Sequence, residues 1–242
     1  MGEGAVPAAS AGRDGWLEAL GAEAEAVGAP LSPATAGILW ELCGRVAAAP
    51  FRATATRDPV ELRRKHVVDS LACLPLAALR AGERAVDLGS GAGFPGLVVA
   101  AARPDVRVDL VDAQGKKARF LQQAAEELGL RNVRVRIGRA EDLASEAGWR
   151  GACDCVLARA LAPLRHLSEL ALPLCRVGGR LIALKGPRAD DELRDARAVL
   201  ARLRGREAGR LELRLPGGGE RRVILRIDRA PAGPPRRGRP RG

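Results

Sequence analysis

The stretch Val86-Asp-Leu-Gly-Ser-Gly-Ala-Gly-Phe-Pro-Gly96 runs into Leu97-Val-Val-Ala-Ala-Ala102. After Arg103-Pro-Asp105 it continues as Val106-Arg-Val-Asp-Leu-Val-Asp112. A short apolar run ending in an acid, a glycine-rich turn, a small-residue helix and a second apolar run ending in an acid make one strand–helix–strand unit. The spacing predicts glycines at the carboxyl end of a parallel strand, the edge where open α/β sheets bind ligands.

The alternation extends downstream. Strand-like runs fall at Ala85–Leu88, Val106–Val111, Val133–Ile137, Cys155–Leu157 and Arg180–Leu184, with helical stretches at Leu97–Ala102, Lys116–Leu128 and Ala162–Cys175 between them. Repeated strand–helix units with right-handed crossovers require an α/β, doubly wound, Rossmann-like sheet covered on both faces. After a charged helix near Asp190–Leu203, the runs Arg210–Leu215 and Arg222–Ile227 flank Pro216-Gly-Gly-Gly219 and read as a hairpin, so the last strand is expected antiparallel. That outline resembles the class I methyltransferases more than a standard dehydrogenase.

Upstream, residues 14–80 read as an N-terminal helical segment. Asp14 is placed to cap Trp16-Leu17, Ser32-Pro33 to open a helix through Ile38-Leu39, and Asp58-Pro59 to open another with Glu61 in its first turn. Residues 1–13 are expected as a flexible leader, 81–230 as the domain built on the sheet, and 231–242, only Pro, Gly, Ala and Arg, as a disordered basic tail.

With 242 residues and 47% hydrophobic content the chain can bury a core, and no apolar run nears the ~20 residues a membrane helix needs. The start carries no secretory pattern and Val6 departs from a myristoylation site, so a cytoplasmic protein is expected. Five cysteines in no C-x-x-C pair, with no histidine at ligand spacing, read as buried thiols and no metal site. Forty Lys and Arg against 29 Asp and Glu leave a net charge of +11, which suits a polyanionic partner. Aromatic residues are 2% and Tyr is absent, so RNA contact is expected through phosphates and shape rather than a stacking platform.

The glycine turn answers to two cofactors. Gly91-Ala-Gly-Phe-Pro-Gly96 satisfies the dinucleotide pattern, and Asp112, sixteen residues after Gly96, suits a ribose in either case. Asp87 separates them. A carboxylate at the strand end repels a pyrophosphate and favours the cationic sulfonium and ammonium of S-adenosylmethionine. Ala140-Glu141-Asp142 adds acid after the third strand, where an adenine would lie. Spacing favours S-adenosylmethionine without excluding NAD.

Further motifs occur in order: Asp69-Ser-Leu71, the Val86–Gly96 stretch, Asp112 with Lys116-Lys-Ala-Arg-Phe-Leu121, Gly138-Arg-Ala-Glu-Asp142, Ala158-Arg-Ala160 and Ala183-Leu-Lys-Gly186. Together they resemble the bacterial small-subunit ribosomal RNA methyltransferase G family (glucose-inhibited division protein B), from about Arg57 to Ile227. The family's aromatic-Asn-Leu-Thr segment reads Phe51-Arg-Ala-Thr54 here.

The resemblance implies methylation of guanine N7 at position 527 of 16S rRNA, in the 30S subunit or an assembly intermediate, with S-adenosylmethionine as donor. It places Gly89 and Phe94, with neighbouring Gly91 and Gly93, along the cofactor, Ala140 and Glu141 at the adenine, Asp112 at the ribose and Arg159 closing the site. Asp87 joins this set on electrostatic grounds. N7 carries no proton, so no catalytic base is assigned. Arg64, Lys65, His66, Lys116, Lys117, Arg119 and Lys185 are the RNA-binding candidates, and a monomer is expected. Rival readings are a methyltransferase of the same fold acting on a small molecule or protein, and an NAD(P)-binding oxidoreductase.

Overall fold

In the computed structural model, which describes residues 7–215 and 221–231, helices α1 (Pro7–Ala26), α2 (Pro33–Ala48), α3 (Pro59–Leu62), α4 (Asp69–Leu71) and α5 (Leu74–Ala77) come first. A π-helical segment, Arg63–Val68, joins α3 to α4. The sheet units follow: β1 (Arg84–Leu88), α6 (Gly96–Ala102), β2 (Arg107–Asp112), α7 (Gly115–Glu127), β3 (Val133–Ile137), α8 (Ala140–Leu143), β4 (Cys153–Arg159), α9 (Leu164–Ala171), β5 (Cys175–Lys185), α10 (Ala189–Leu203), β6 (Gly205–Arg214) and β7 (Arg221–Arg229).

The strands form one sheet in the order β3-β2-β1-β4-β5-β7-β6. β1 to β5 are parallel, whereas β7 runs antiparallel between β5 and β6. This is the doubly wound sheet with an antiparallel last strand expected from the sequence. The order reverses between β1 and β4, so the chain leaves those adjacent strands toward opposite faces and opens a crevice at their carboxyl ends.

Local chemistry sets the helix starts. Ser32 accepts from Thr35 N at 3.1 Å and Asp58 from Glu61 N at 2.8 Å, each with proline at the first helical position. Asp14 does not cap a helix. α1 already begins at Pro7, so Asp14 lies inside it, and the expected leader is helical from residue 7 onward. The first six residues, the glycine turn 216–219 and the tail beyond 231 lie outside the described residues.

Two apolar cores flank the sheet. One gathers Trp16, Leu20, Leu39, Leu42 and Leu71 from the leading helices with Leu97, Leu110, Leu157 and Ile182. The other joins Leu88, Val156, Leu181 and Leu225 to Leu164, Leu167 and Leu200. The leading helices thus share a core with the sheet rather than forming their own. All five cysteines are buried and free, and burial pushes every thiol above its ordinary range, Cys43 and Cys155 to about 12. Among the described residues no helix is long and apolar enough to cross a membrane, and no cluster could hold a metal.

Gly96 marks the tightest approach of helix to sheet. A Cβ there would meet the Leu110 side chain and come within 2.7 Å of Asp87 Oδ2. Gly96→Ala is therefore expected to cost about 1–3 kcal/mol of stability, the scale of core overpacking, as read by denaturant unfolding.

Candidate active site

The residues that follow β1 are held from beneath by acids at the strand ends. Asp112, ending β2, accepts from Gly91 N at 2.9 Å and from Gln114 N at 2.8 Å. Asp87, in β1, accepts from Gly96 N at 3.0 Å. Ser90 Oγ donates to Asp87 O and accepts from Val111 N, lacing the turn to both strands. Gly89, Gly91 and Gly93 have positive φ (71°, 58° and 97°), and a Cβ on Gly93 would collide with Leu97.

Above this turn lies a cleft of about 1320 Å³. Its walls are the turn, the π-helical segment, the residues after β4 and the end of β5. Of the cofactor residues expected from sequence, Gly89, Gly91, Phe94 and Arg159 line it. Asp87, Gly93 and Asp112 do not, because their positions lie behind the turn. Asp87 is fully buried and Asp112 nearly so. Both carboxylates spend oxygens on backbone amides. Ala140 and Glu141 sit on α8 beyond β3, half-buried and exposed, outside the lining.

Of the expected RNA contacts, Arg64, Lys65, His66 and Lys185 line the cleft. Lys185 is not a free cation. Its Nζ donates to Ala162 O at 2.6 Å and pairs with Glu192 at 2.8 Å, while the same Glu192 oxygen accepts from Leu164 N. Lys185 thus braces the turn after β4. Lys65 pairs with Glu61, one turn before it. Lys116, Lys117 and Arg119 stand on α7 away from the cleft, with Lys116 Nζ 5.2 Å from the Phe51 ring centre.

The most connected group on the cleft wall is one that sequence reasoning assigned only in part. Arg159 donates to Asp69 Oδ2 at 3.2 Å and Lys65 O at 3.1 Å, contacts His66 Nδ1 at 2.9 Å, and lies 5.5 Å from the Phe94 ring centre. His66 stacks on Phe94, centroids 5.0 Å apart at 27°. Arg222 of β7 stands 3.2 Å from the other Asp69 oxygen. Asp69 therefore holds two arginines, each from a different strand, against the leading helices. An acid inside the apolar run Val67-Val-Asp-Ser-Leu71 was the signal for Asp69; nothing local marks Arg222 as its partner.

The residues fit a cationic donor better than a dinucleotide. The first amide of α6, which a pyrophosphate needs, is already given to Asp87. Asp87 Oδ1 is buried with no hydrogen-bond partner among the described residues, so a nearby positive ligand compensates it and a pyrophosphate would aggravate it.

The fold is shared with proteins of known structure, a methyltransferase among them. A geranyl diphosphate methyltransferase in complex with SAM aligns with a TM-score of 0.54 at 18% identity, over 68% of this chain and 85% of that one. The YcgJ protein from Bacillus subtilis aligns at 0.55 and 16% identity, over 69% of this chain and all of that one. Sheet order and cleft together define a class I methyltransferase. Residues 48–210 match the family model for rRNA small subunit methyltransferase G. Proteins named ribosomal RNA small subunit methyltransferase G are 42% identical in Lactobacillus delbrueckii subsp. bulgaricus (75% of this chain, 77% of that protein) and 44% identical in Sorangium cellulosum (79% of each). The chain belongs to this family, and it is an S-adenosylmethionine-dependent rRNA methyltransferase.

Two outcomes follow from the carboxylates. Asp69→Asn removes the negative charge that Arg159 and Arg222 both approach; a loss of about 1–3 kcal/mol is expected in denaturant unfolding, with weaker S-adenosylhomocysteine binding.

Burial pushes Asp87 up from 3.8 to about 6, against the opposing pull of the Gly96 amide. The folded state therefore favours the protonated acid. Its stabilising contribution is full below 3.8 and is lost as pH rises through about 6. Asp87→Asn keeps an acceptor for Gly96 N–H but cannot ionise. It should flatten the stability profile across that interval and be at least as stable as the parent at neutral pH.

Proposed function

We propose that the chain methylates N7 of guanine at position 527 of 16S rRNA, in the 30S subunit or an intermediate of its assembly, and acts as a monomer in the cytoplasm. When bound, S-adenosylmethionine supplies a methyl group made electrophilic by its cationic sulfur. Gly89, Gly91 and Phe94 would hold it from the cleft floor, with Asp87 and Asp112 fixing the turn from behind. Gly93, Ala140 and Glu141 complete the proposed cofactor set.

One observation carries the choice of N7. Histidine 66 is the only imidazole on the cleft wall among the described residues, and its Nδ1 is occupied by Arg159. Burial first, then the charges of Arg159, Arg222 and Lys65, hold its pKa down to about 3. Such a ring is a poor proton acceptor at neutral pH. An attack on a hydroxyl or exocyclic amine needs a proton removed; an attack by N7 does not. What remains for the protein is orientation and exclusion of water.

The lining also suits RNA. Arg64, Lys65, Arg159, Lys185, Arg188 and Arg222 outnumber Glu61, Asp69 and Glu192, so six cations face three carboxylates. A surplus of this sign attracts phosphates and makes binding fall as salt rises.

Mapping of 7-methylguanosine in 16S rRNA from cells with and without the gene tests the reading. The modification is expected at 527 only when the gene is present. Calorimetric titration should show S-adenosylhomocysteine binding and no NADH binding. Methylation of protein or small molecules with unmodified rRNA would overturn the assignment.

A further inference from the structure

Histidine 66 sits on the π-helical segment, a geometry that recurs at functional sites because its extra residue re-aims a side chain. Three contacts fix it. Ser70 Oγ donates to its backbone carbonyl at 2.6 Å, Phe94 stacks on its ring, and Arg159 Nη2 lies 2.9 Å from Nδ1. A guanidinium can only donate. Nδ1 is therefore the acceptor, and the ring's single proton is on Nε2. Nε2 has no hydrogen-bond partner among the described residues, and the side chain borders the cleft. Of the other lining hydroxyls, Thr54 donates to Thr56 O and Ser90 to Asp87 O, while Thr56 Oγ1 accepts from Asp58 N.

We infer that His66 is a substrate-contacting residue whose Nε2–H donates to O6 of the target guanine, orienting the base while leaving N7 free to attack. This rests on the guanine-N7 reading above and deepens it. Guanine presents two adjacent acceptors, N7 and O6, and a guanidinium takes both at once. The arginines of the cleft are thus the wrong donors for this edge, since they would occupy the nucleophile. A single N–H bonds O6 alone. The N7 lone pair then forms the N–CH3 bond as the S–CH3 bond breaks, its electrons remaining on sulfur. No proton moves, and His66 ends as it began. Positive charge arrives on the purine during the transfer. A neutral donor adds no repulsion at that moment, whereas an ammonium or guanidinium at the same distance would.

Arg159 acquires a second task in this scheme. By filling Nδ1 it selects the tautomer, and through Asp69 it is itself held in place. It is a positioning residue for His66, whatever it also does for the cofactor.

The test is a cycle of enzyme and substrate changes, using small subunits reconstituted with 16S rRNA that carries guanine or 2-aminopurine at the target. 2-Aminopurine keeps N7 and lacks O6. The unaltered enzyme should methylate guanine about 10-fold faster or more, the scale of one hydrogen bond. His66→Phe keeps a ring against Phe94 and loses the donor. It should fall by a similar factor on guanine, bind S-adenosylhomocysteine as before, and no longer distinguish the two bases. His66→Gln returns an N–H and should exceed the Phe variant on guanine; it also decides the matter if the Phe variant does not fold. Equal rates of the unaltered enzyme on both bases overturn the inference, as does loss of S-adenosylhomocysteine affinity in step with activity in His66→Phe. Absence of 7-methylguanosine with the unaltered enzyme and guanine refutes the underlying N7 reading instead.

Discussion

Everything at the active edge depends on two strand-end carboxylates bonding to backbone amides of one turn. Asp87 and Asp112 end neighbouring parallel strands, and their oxygens take the N–H groups of Gly96 and Gly91. Those amides would otherwise be unsatisfied next to an apolar core, and the turn would be free to shift over the cleft floor. Fixing them leaves the backbone open on its upper side. The arrangement carries a cost, since Asp87 is charged at neutral pH in a fully buried position with one oxygen unpartnered. A buried carboxylate with an unmet need is tolerated where a cation is to be received.

A third carboxylate does for the walls what those two do for the floor. Asp69 lies in the leading helices, and its arginine partners belong to β4 and β7. The contact joins three parts of the chain distant in sequence. Arg159 then passes the constraint on to His66 and Phe94, so ring orientation, tautomer and the placement of a cation over an aromatic face follow from one buried acid. Asp87 and Asp69 thus serve opposite ends, one unneutralised beneath a glycine turn and one paired with two arginines.

The sheet was legible in the residues because its signals are local. Alternating apolar runs, Ser32-Pro33, Asp58-Pro59 and the glycine turn each mark their own position within a few residues, and β3 matches the expected Val133–Ile137 limits. Residues 7–13 were misread because small residues without periodicity give no amphipathic signal, and the helix there holds through the core that Trp16 and Leu20 enter. The site was legible as a set of residue types but not as pairings. Lys185 looks like a free cation until Glu192 and Ala162 O are brought beside it. Asp87 and Asp112 read as acids at strand ends, and the amides they accept from become visible only in the fold. Arg222, on the penultimate stretch of the sheet, has no neighbour in sequence to hint at Asp69.

The antiparallel insertion of β7 between β5 and β6 has a bearing on how the molecule comes into being. The sheet is completed not by its last-made strand adding to an edge but by that strand entering next to β5, bringing Arg222 to a carboxylate synthesised some hundred and fifty residues earlier. During translation the helices, the glycine turn and β4 emerge first and can collapse together, yet the acid at their junction lacks one of its two counter-charges until nearly the whole polypeptide has left the exit tunnel. Assembly of the catalytic wall is therefore a late event in biogenesis, and a nascent chain cut short before β7 carries the floor of the cleft without its finished side.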